Sequence, residues 1–279
     1  MEFFEILKAI FLGIIEGITE WLPVSSTGHM ILADEFIKLK VSAEFKEMFL
    51  VVIQLGAILA VPTLFFDKLN PFSKKKSKTE KKSTMDLWFK VIVGALPAAV
   101  AGLVLDDFLD KHLYNSIVIS IALIVYGIAF ILIERTKKVK ANEFRVNDVS
   151  ELTYKDALTI GAFQILSLIP GTSRSGSTII GGMLGGVSRV ASAEFSFFMA
   201  IPIMLGASGL KILKFIMDGA TVSSLEIVLL LVGIAVSYIV SLVVIKFLMD
   251  FVKRHSFSAF GVYRIILGMI VLGYFLLIV

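Results

Sequence analysis

Apolar positions along this chain run in long unbroken stretches, at 48–66, 87–105, 116–133, 195–213, 224–249 and 257–279, separated by short polar segments. Each is near the ~20 residues that a helix needs to cross a hydrocarbon core of about 30 Å. Alternating segments of about ten residues, which a membrane barrel requires, do not recur. The pattern predicts an all-α, polytopic membrane bundle with six spanning helices.

Two further apolar regions are interrupted. Residues 3–22 run into Pro23-Val24-Ser25-Ser26-Thr27-Gly28-His29, and a short apolar piece then ends at Asp34-Glu35. Residues 157–169 run into Pro170-Gly171-Thr172-Ser173-Arg174-Ser175-Gly176-Ser177-Thr178, followed by Ile179 to Val187. Non-helical backbone at membrane depth survives only where protein buries it or where it lines a wet cavity. Both regions are therefore read as re-entrant helical hairpins, each entering and leaving on one side.

The halves resemble one another. An offset of 148 places Gly13 on Gly161, Glu16 on Gln164, Ser25 on Ser173, Thr27 on Ser175 and Gly28 on Gly176. Three apolar stretches follow the break in each half. The chain thus divides into a first repeat at 1–134, a connecting loop at 135–151 and a second repeat at 152–279, forming one integral membrane domain. Because three crossings is odd, the second repeat is inverted relative to the first.

Charge orients the bundle. Counting crossings puts 67–85, 135–156, 187–192 and 248–256 on one side, with Lys68, Lys74, Lys75, Lys76, Lys78, Lys81, Lys82, Arg135, Lys137, Lys138, Lys140, Arg145, Lys155, Arg189, Lys253 and Arg254. The other side has Lys38, Lys40, Lys46, Lys111, Lys211 and Lys214. The positive-inside rule makes the first side cytoplasmic. Both termini then lie outside, one hairpin enters from each side, and the Ser/Gly tips meet near the midplane.

Composition agrees. The chain is 57% hydrophobic and 18% charged, against about a quarter charged in soluble domains. With no cysteine, disulfide frameworks and thiolate catalysis are excluded. Glu2 and Glu5 stand where a signal peptide carries basic residues, so the N-terminus reads as mature sequence. The net charge of +4 belongs to loops between spans rather than to a nucleic-acid surface.

The breaks carry the candidate chemistry. Glu16 and Glu20 project from one helix face, and ionisable groups inside membrane segments point to function. Two adjacent carboxylates repel unless a proton or cation relieves them, and Mg²⁺ or Ca²⁺ shared with phosphate oxygens meets that need. The bland alternative is a solvated half-helix end. His29 is read as general base or nucleophile, and Ser26 as a nucleophile activated by His29, with water a third choice. Ser25 and Thr27 either cap the second half-helix or join Ser173, Ser175 and Thr178 as phosphate contacts. Arg174, at a helix break in an apolar region, matches phosphate oxygens with its guanidinium fork better than it fits a snorkelling role. Backbone N–H groups at a helix start add anion donors. Gln54 and Glu194 are weaker candidates behind the site, with interhelical hydrogen bonding as the alternative. Pro62, Pro97 and Pro202 mark expected kinks, and the lysines at 74–82 a solvated loop that touches anionic lipid.

Glu16-Gly-Ile-Thr-Glu20-Trp-Leu-Pro-Val-Ser-Ser-Thr-Gly-His29 resembles the first signature of bacterial undecaprenyl-diphosphate phosphatases of the bacitracin-resistance type, and Pro170 to Thr178 resembles their second. Val52 to Gly56, Gly181 to Met183, Val187 to Arg189 and Glu194 to Phe197 extend the resemblance over nearly the whole chain. It implies hydrolysis of undecaprenyl diphosphate to the monophosphate carrier reused in cell-wall synthesis, and bacitracin resistance because that antibiotic sequesters the same diphosphate. It also implies a divalent cation, an inverted-repeat fold in the bacterial cytoplasmic membrane, and a site facing outward. Its implied catalytic residues are Glu16, Glu20, Ser26, His29 and Arg174. Expected partners are the isoprenoid lipid and membrane lipids, without nucleic acid; a homodimer is left open. The competing class is an ion-coupled transporter or lipid-phosphate flippase, since broken helices meeting at the midplane are also transporter architecture.

Overall fold

The computed structural model describes residues 2–136, 139 and 143–277, leaving aside the side chains of residues 34, 35, 106, 107 and 110. Lys137, Lys138 and Lys140, counted above, lie outside the described residues. In chain order the helices are α1 (Glu2–Thr19), α2 (Ser26–Ile37), α3 (Ala43–Val52), α4 (Gln54–Leu64), α5 (Lys78–His112), α6 (Ser116–Glu134), α7 (Tyr154–Gln164), α8 (Arg174–Leu184), α9 (Arg189–Met217), α10 (Ser224–Arg254) and α11 (Ser258–Leu277). Single helical turns occur at Phe66–Leu69, Val149–Glu151 and Ile165–Leu168. The extended pairing among the described residues is one isolated bridge, Val146 to Val187.

Six helical segments are long and apolar enough to cross a membrane: Ala43–Leu64, Lys78–Leu105, Ser116–Glu134, Arg189–Met217, Ser224–Arg254 and Ser258–Leu277. Their most apolar windows are only 22–50% buried within the chain. The remainder is an apolar outer surface far larger than a soluble monomer carries, so this is a multi-pass membrane protein.

Capping residues carry several helices beyond their apolar stretches. Ser77 accepts from the Glu80 N–H at 3.2 Å while the Glu80 carboxylate accepts from the Ser77 N–H at 2.7 Å. This reciprocal cap starts α5 inside the lysine-rich segment, so Lys78, Lys81 and Lys82 lie on a helix rather than in the expected loop. Thr153 with Asp156, and Ser223 with Glu226, start α7 and α10 in the same way. The 48–66 stretch is divided at Ile53 into α3 and α4. Pro62, Pro97 and Pro202 lie inside α4, α5 and α9.

Glycines let backbones touch where the broken segments dock. A Cβ at Gly13 of α1 would stand 2.8 Å from the Gly233 carbonyl oxygen of α10, and one at Gly161 of α7 would stand 2.1 Å from that of Gly94 in α5. Small residues are the usual means of close helix approach in membranes. Each broken segment thus packs on a long helix from the other half of the chain, α1 on α10 and α7 on α5. Behind the breaks lies an apolar core that includes Trp21, Phe130, Phe195, Phe197, Phe198 and Ile179.

Polar ties close the bundle away from the breaks. Arg189 of α9 donates to Glu134 of α6 at 2.5–3.2 Å, and Glu134 also accepts the Phe257 N–H at 2.8 Å. Lys68 donates to both carboxylate oxygens of Glu194 at 2.7 and 2.9 Å, and Arg145 pairs with Asp156.

Candidate active site

The two breaks share an unusual backbone. Ser25, capping α2, has φ 72° and ψ 99°; Ser173, capping α8, has φ 74° and ψ 123°. Among the described residues these are the only non-glycine positions with positive φ, and each such conformation costs on the order of 1–3 kcal/mol. Each serine Oγ accepts a backbone N–H three residues on, from Gly28 at 3.3 Å and from Gly176 at 3.1 Å. The earlier amides of each helix, at Ser26 and Thr27 and at Arg174 and Ser175, belong to the first turn, where no intrahelical acceptor exists. Two helix N-termini with donors of this kind make an anion-binding environment.

The breaks meet. Arg174 donates to Glu20 through Nη2 at 2.8 Å, and the other oxygen of that carboxylate accepts the Ser26 hydroxyl at 2.8 Å. Ser175 Oγ reaches the carbonyls of Glu20 and Leu22 at 3.2 and 3.3 Å. Arg174 Nη1 donates to the Ser196 carbonyl at 2.8 Å, and its guanidinium carbon stands 5.6 Å from the Trp21 ring centre. Trp21 packs edge-on against Phe197, 5.1 Å between centroids. Arg174 is therefore held in one pose with its charge directed at the first break.

The remaining candidates sort by accessibility. Ser26, Thr27, His29, Ser173 and Arg174 are half-buried, whereas Glu16, Glu20, Ser25, Ser175 and Thr178 are buried. Thr178 is committed to Ser196 Oγ at 2.7 Å and to the Arg174 carbonyl at 2.9 Å, so it supports the arginine. Ser173 and Ser175 hydroxyls lie 3.2 Å apart. Glu16 keeps a buried carboxylate oxygen, Oε1, without a hydrogen-bond partner.

His29 is not on Ser26. Its Nδ1 lies 2.8 Å from the Ser25 carbonyl and its Nε2 2.6 Å from the Tyr263 hydroxyl. The structure pairs Ser26 with Glu20 instead, and a carboxylate accepting a hydroxyl hydrogen can serve as general base to that hydroxyl. The two weaker candidates stand apart from this cluster. Glu194 is taken by Lys68, and Gln54 makes no hydrogen bond to the cluster among the described residues.

Sequence reasoning passed over Ser196, Trp21, Tyr263 and Arg264. Arg264 is fully buried and donates to the Pro23 carbonyl at 3.1 Å and the Gly171 carbonyl at 2.9 Å, one from each break. An arginine alone in the last apolar stretch was the available signal, since such residues in membrane segments carry function or hold partners.

A family model described as Bacitracin resistance protein BacA matches residues 9–270. A protein of Enterococcus faecalis strain ATCC 700802 / V583 named Undecaprenyl-diphosphatase is 59% identical over 276 residues, covering 99% of each chain. Undecaprenyl-diphosphatase 1 of Clostridioides difficile strain 630 is 57% identical over 274 residues, 98% of this chain and 97% of its own. Undecaprenyl-diphosphatase of Lactococcus lactis subsp. lactis strain IL1403 is 56% identical over 276 residues, covering 97% of each.

Proposed function

Since the chain belongs to the bacitracin resistance protein BacA family, we propose that Glu20, Ser26 and Arg174 perform the reaction its relatives are named for. The protein is an undecaprenyl-diphosphate phosphatase: it hydrolyses the lipid diphosphate to the monophosphate carrier and inorganic phosphate. That recycles the carrier for cell-wall synthesis and underlies bacitracin resistance. The observation that carries the residue assignment is the continuous bridge Ser26–Glu20–Arg174 across two breaks that are 148 residues apart in sequence.

Arg174 and the first-turn amides of α8 hold the diphosphate, drawing charge from the phosphoryl group that departs. Such transfer depends mainly on positioning and on neutralising charge. Ser26 Oγ attacks the terminal phosphorus as its proton passes to Glu20. The bridging P–O bond breaks, and its electron pair leaves on the lipid monophosphate. Water then attacks the phosphoserine: the P–Oγ bond breaks as Glu20 returns its proton to Ser26 Oγ and takes one from the attacking water, and phosphate departs.

The donor set fits a divalent cation. Glu16 has an unpartnered buried oxygen, and no group of three or more ligating side chains exists among the described residues, so substrate and water oxygens would complete the shell as is usual for Mg²⁺. Glu16 would hold the ion, joined by Glu20 when one of its present partners is exchanged. When bound, the ion would offset diphosphate charge.

The same reading places repeats 1–134 and 152–279 in inverted relation within the bacterial cytoplasmic membrane, termini and site opening outward. Two features support it: the matched serine caps at 25 and 173 and the reciprocal docking of α1 on α10 and α7 on α5. The lysine-rich segments on one side support the orientation.

Purified protein in detergent, given undecaprenyl diphosphate, is expected to release phosphate. Detergent has no sealed compartments, so a transporter without chemistry would release none. A quenched reaction is expected to carry phosphate on Ser26; label elsewhere, or none, removes Ser26 as nucleophile.

A further inference from the structure

His29 is gripped from both sides. The Ser25 carbonyl can only accept, so the hydrogen on this ring resides at Nδ1. In the neutral ring Nε2 is then a lone-pair acceptor, and the Tyr263 hydroxyl donates to it at 2.6 Å. The two rings lie nearly coplanar, 5.6 Å between centroids and 5° between planes, so the phenol meets the edge of the imidazole. Hydrogen bonding to one ring nitrogen sets the tautomer at the other.

Neither grip is free to drift. The Ser25 carbonyl belongs to the strained residue at φ 72°, whose conformation aims it at His29. Tyr263 precedes Arg264, whose guanidinium is fixed on carbonyls of both breaks. That arginine also donates toward the Leu123 carbonyl at 3.5 Å and lies over Tyr126, 5.8 Å from the ring centre. A Cβ at Gly176 would stand 3.2 Å from Arg264 Nη1, so the Arg264 side chain reaches from α11 to the start of α8. The register of α11 is thus set at the site, and the phenol one residue earlier is set with it.

We propose that Tyr263 is a positioning residue of the active site, holding His29 as the Nδ1–H tautomer in one orientation with its hydroxyl. His29 accepts a proton or a new donor at Nε2 only when the phenol yields that position. The inference rests on the phosphatase reading and adds α11 to the elements that build the site.

Tyr263→Phe keeps the ring and removes the hydroxyl, so it tests the hydrogen bond with the least change in packing. With undecaprenyl diphosphate in detergent, the expected change is a fall in kcat of about tenfold with KM within about twofold, in line with other residues that orient a site histidine. His29→Ala combined with Tyr263→Phe is expected to be no slower than His29→Ala alone, because the two act as one unit. Losses that multiply in the double variant overturn the proposal.

A second measurement is independent of turnover. In a His112→Asn, His255→Asn background His29 is the only imidazole, and ¹⁵N-histidine labelling reads its tautomer directly. The parent is expected to give the neutral Nδ1–H pattern, and the Tyr263→Phe form a mixture with Nε2–H. An unchanged spectrum overturns the proposal. If the wild-type chain releases no phosphate, the phosphatase reading falls, and the labelled spectrum still decides whether Tyr263 sets the ring.

Discussion

At the first break Ser25 turns the chain at φ 72° and caps α2; at the second Ser173 turns it at φ 74° and caps α8. The backbones are close copies, and the side chains around them are not. The first break is bordered by Glu16, Glu20, Ser26 and His29, the second by Gln164, Ser173, Arg174 and Ser175. Both helix N-termini favour an anion, yet the first carries two carboxylates that repel one, and only the second supplies a cationic side chain. In the mechanism proposed above, the shared turn provides a place for phosphate and the differing side chains divide the labour. Attack and proton transfer are assigned to the first break, and charge neutralisation to the second. Arg174 on Glu20 is the ion pair that ties one break to the other.

The division is tested most severely at its two ends. Arg174→Ala is expected to lower kcat/KM by about 10³-fold or more, the scale seen when an arginine is withdrawn from a phosphoryl group in flight. Arg174→Lys is expected to recover little of it, since an ammonium cannot serve Glu20, Ser196 and phosphate in a fixed fork. Ser26→Ala is expected to abolish the phosphoenzyme altogether. Turnover near wild type in either alanine variant would dissolve the contrast between the breaks.

Glu16 and Gln164 each precede the capping serine of their break by the same number of residues, and both are buried with unpartnered polar atoms. Glu16→Gln is expected to raise the divalent-cation concentration for half-maximal phosphate release by about tenfold or more. An unaltered cation titration would show that Glu16 is no ligand. Gln164→Glu is expected to leave the titration unchanged and to lower the melting temperature by several degrees, because it buries a charge without a partner. Arg264 binds the breaks together, and Arg264→Met leaves the Pro23 and Gly171 carbonyls without their donor. A loss of roughly 2–3 kcal/mol from these buried acceptors corresponds to a fall of about 5–10 °C for a chain of this size, measured by thermal unfolding in detergent.

Much of this was legible in the sequence, for reasons that are physical. Long apolar stretches identify spans because hydrocarbon admits little else, and Pro/Gly/Ser runs inside apolar regions identify breaks because exposed backbone cannot survive there. Arg174 stood out for the same reason. Helix ends were less legible, since the Ser77–Glu80 cap extends α5 well before its apolar run begins. Pairing was the least legible part. Ser26 and His29 are three residues apart and invite a partnership, but the turn at Ser25 sends the hydroxyl to Glu20 and the ring to Tyr263, 234 residues away in sequence. Glu194, a candidate by its place in a span, goes to Lys68 instead.

The smallest expected effect separates the breaks most finely. Ser25→Gly and Ser173→Gly each remove an Oγ that caps a helix, while glycine adopts positive φ without a Cβ penalty. Loss of the cap to glycine costs a few tenths of a kcal/mol, and relief of the strain returns on the order of 1 kcal/mol or more. Both variants are therefore expected to melt within a few degrees of wild type. Their kinetics are expected to differ. Glycine at 25 slackens the carbonyl that orients His29, so its effect belongs in kcat, a severalfold loss with KM little changed. Glycine at 173 removes a half-buried hydroxyl 3.2 Å from that of Ser175, on the phosphate-holding side, so its effect belongs in KM. If both variants changed the same constant, the two breaks would not divide the reaction between attack and binding, and the likeness of their backbones would be the deeper fact.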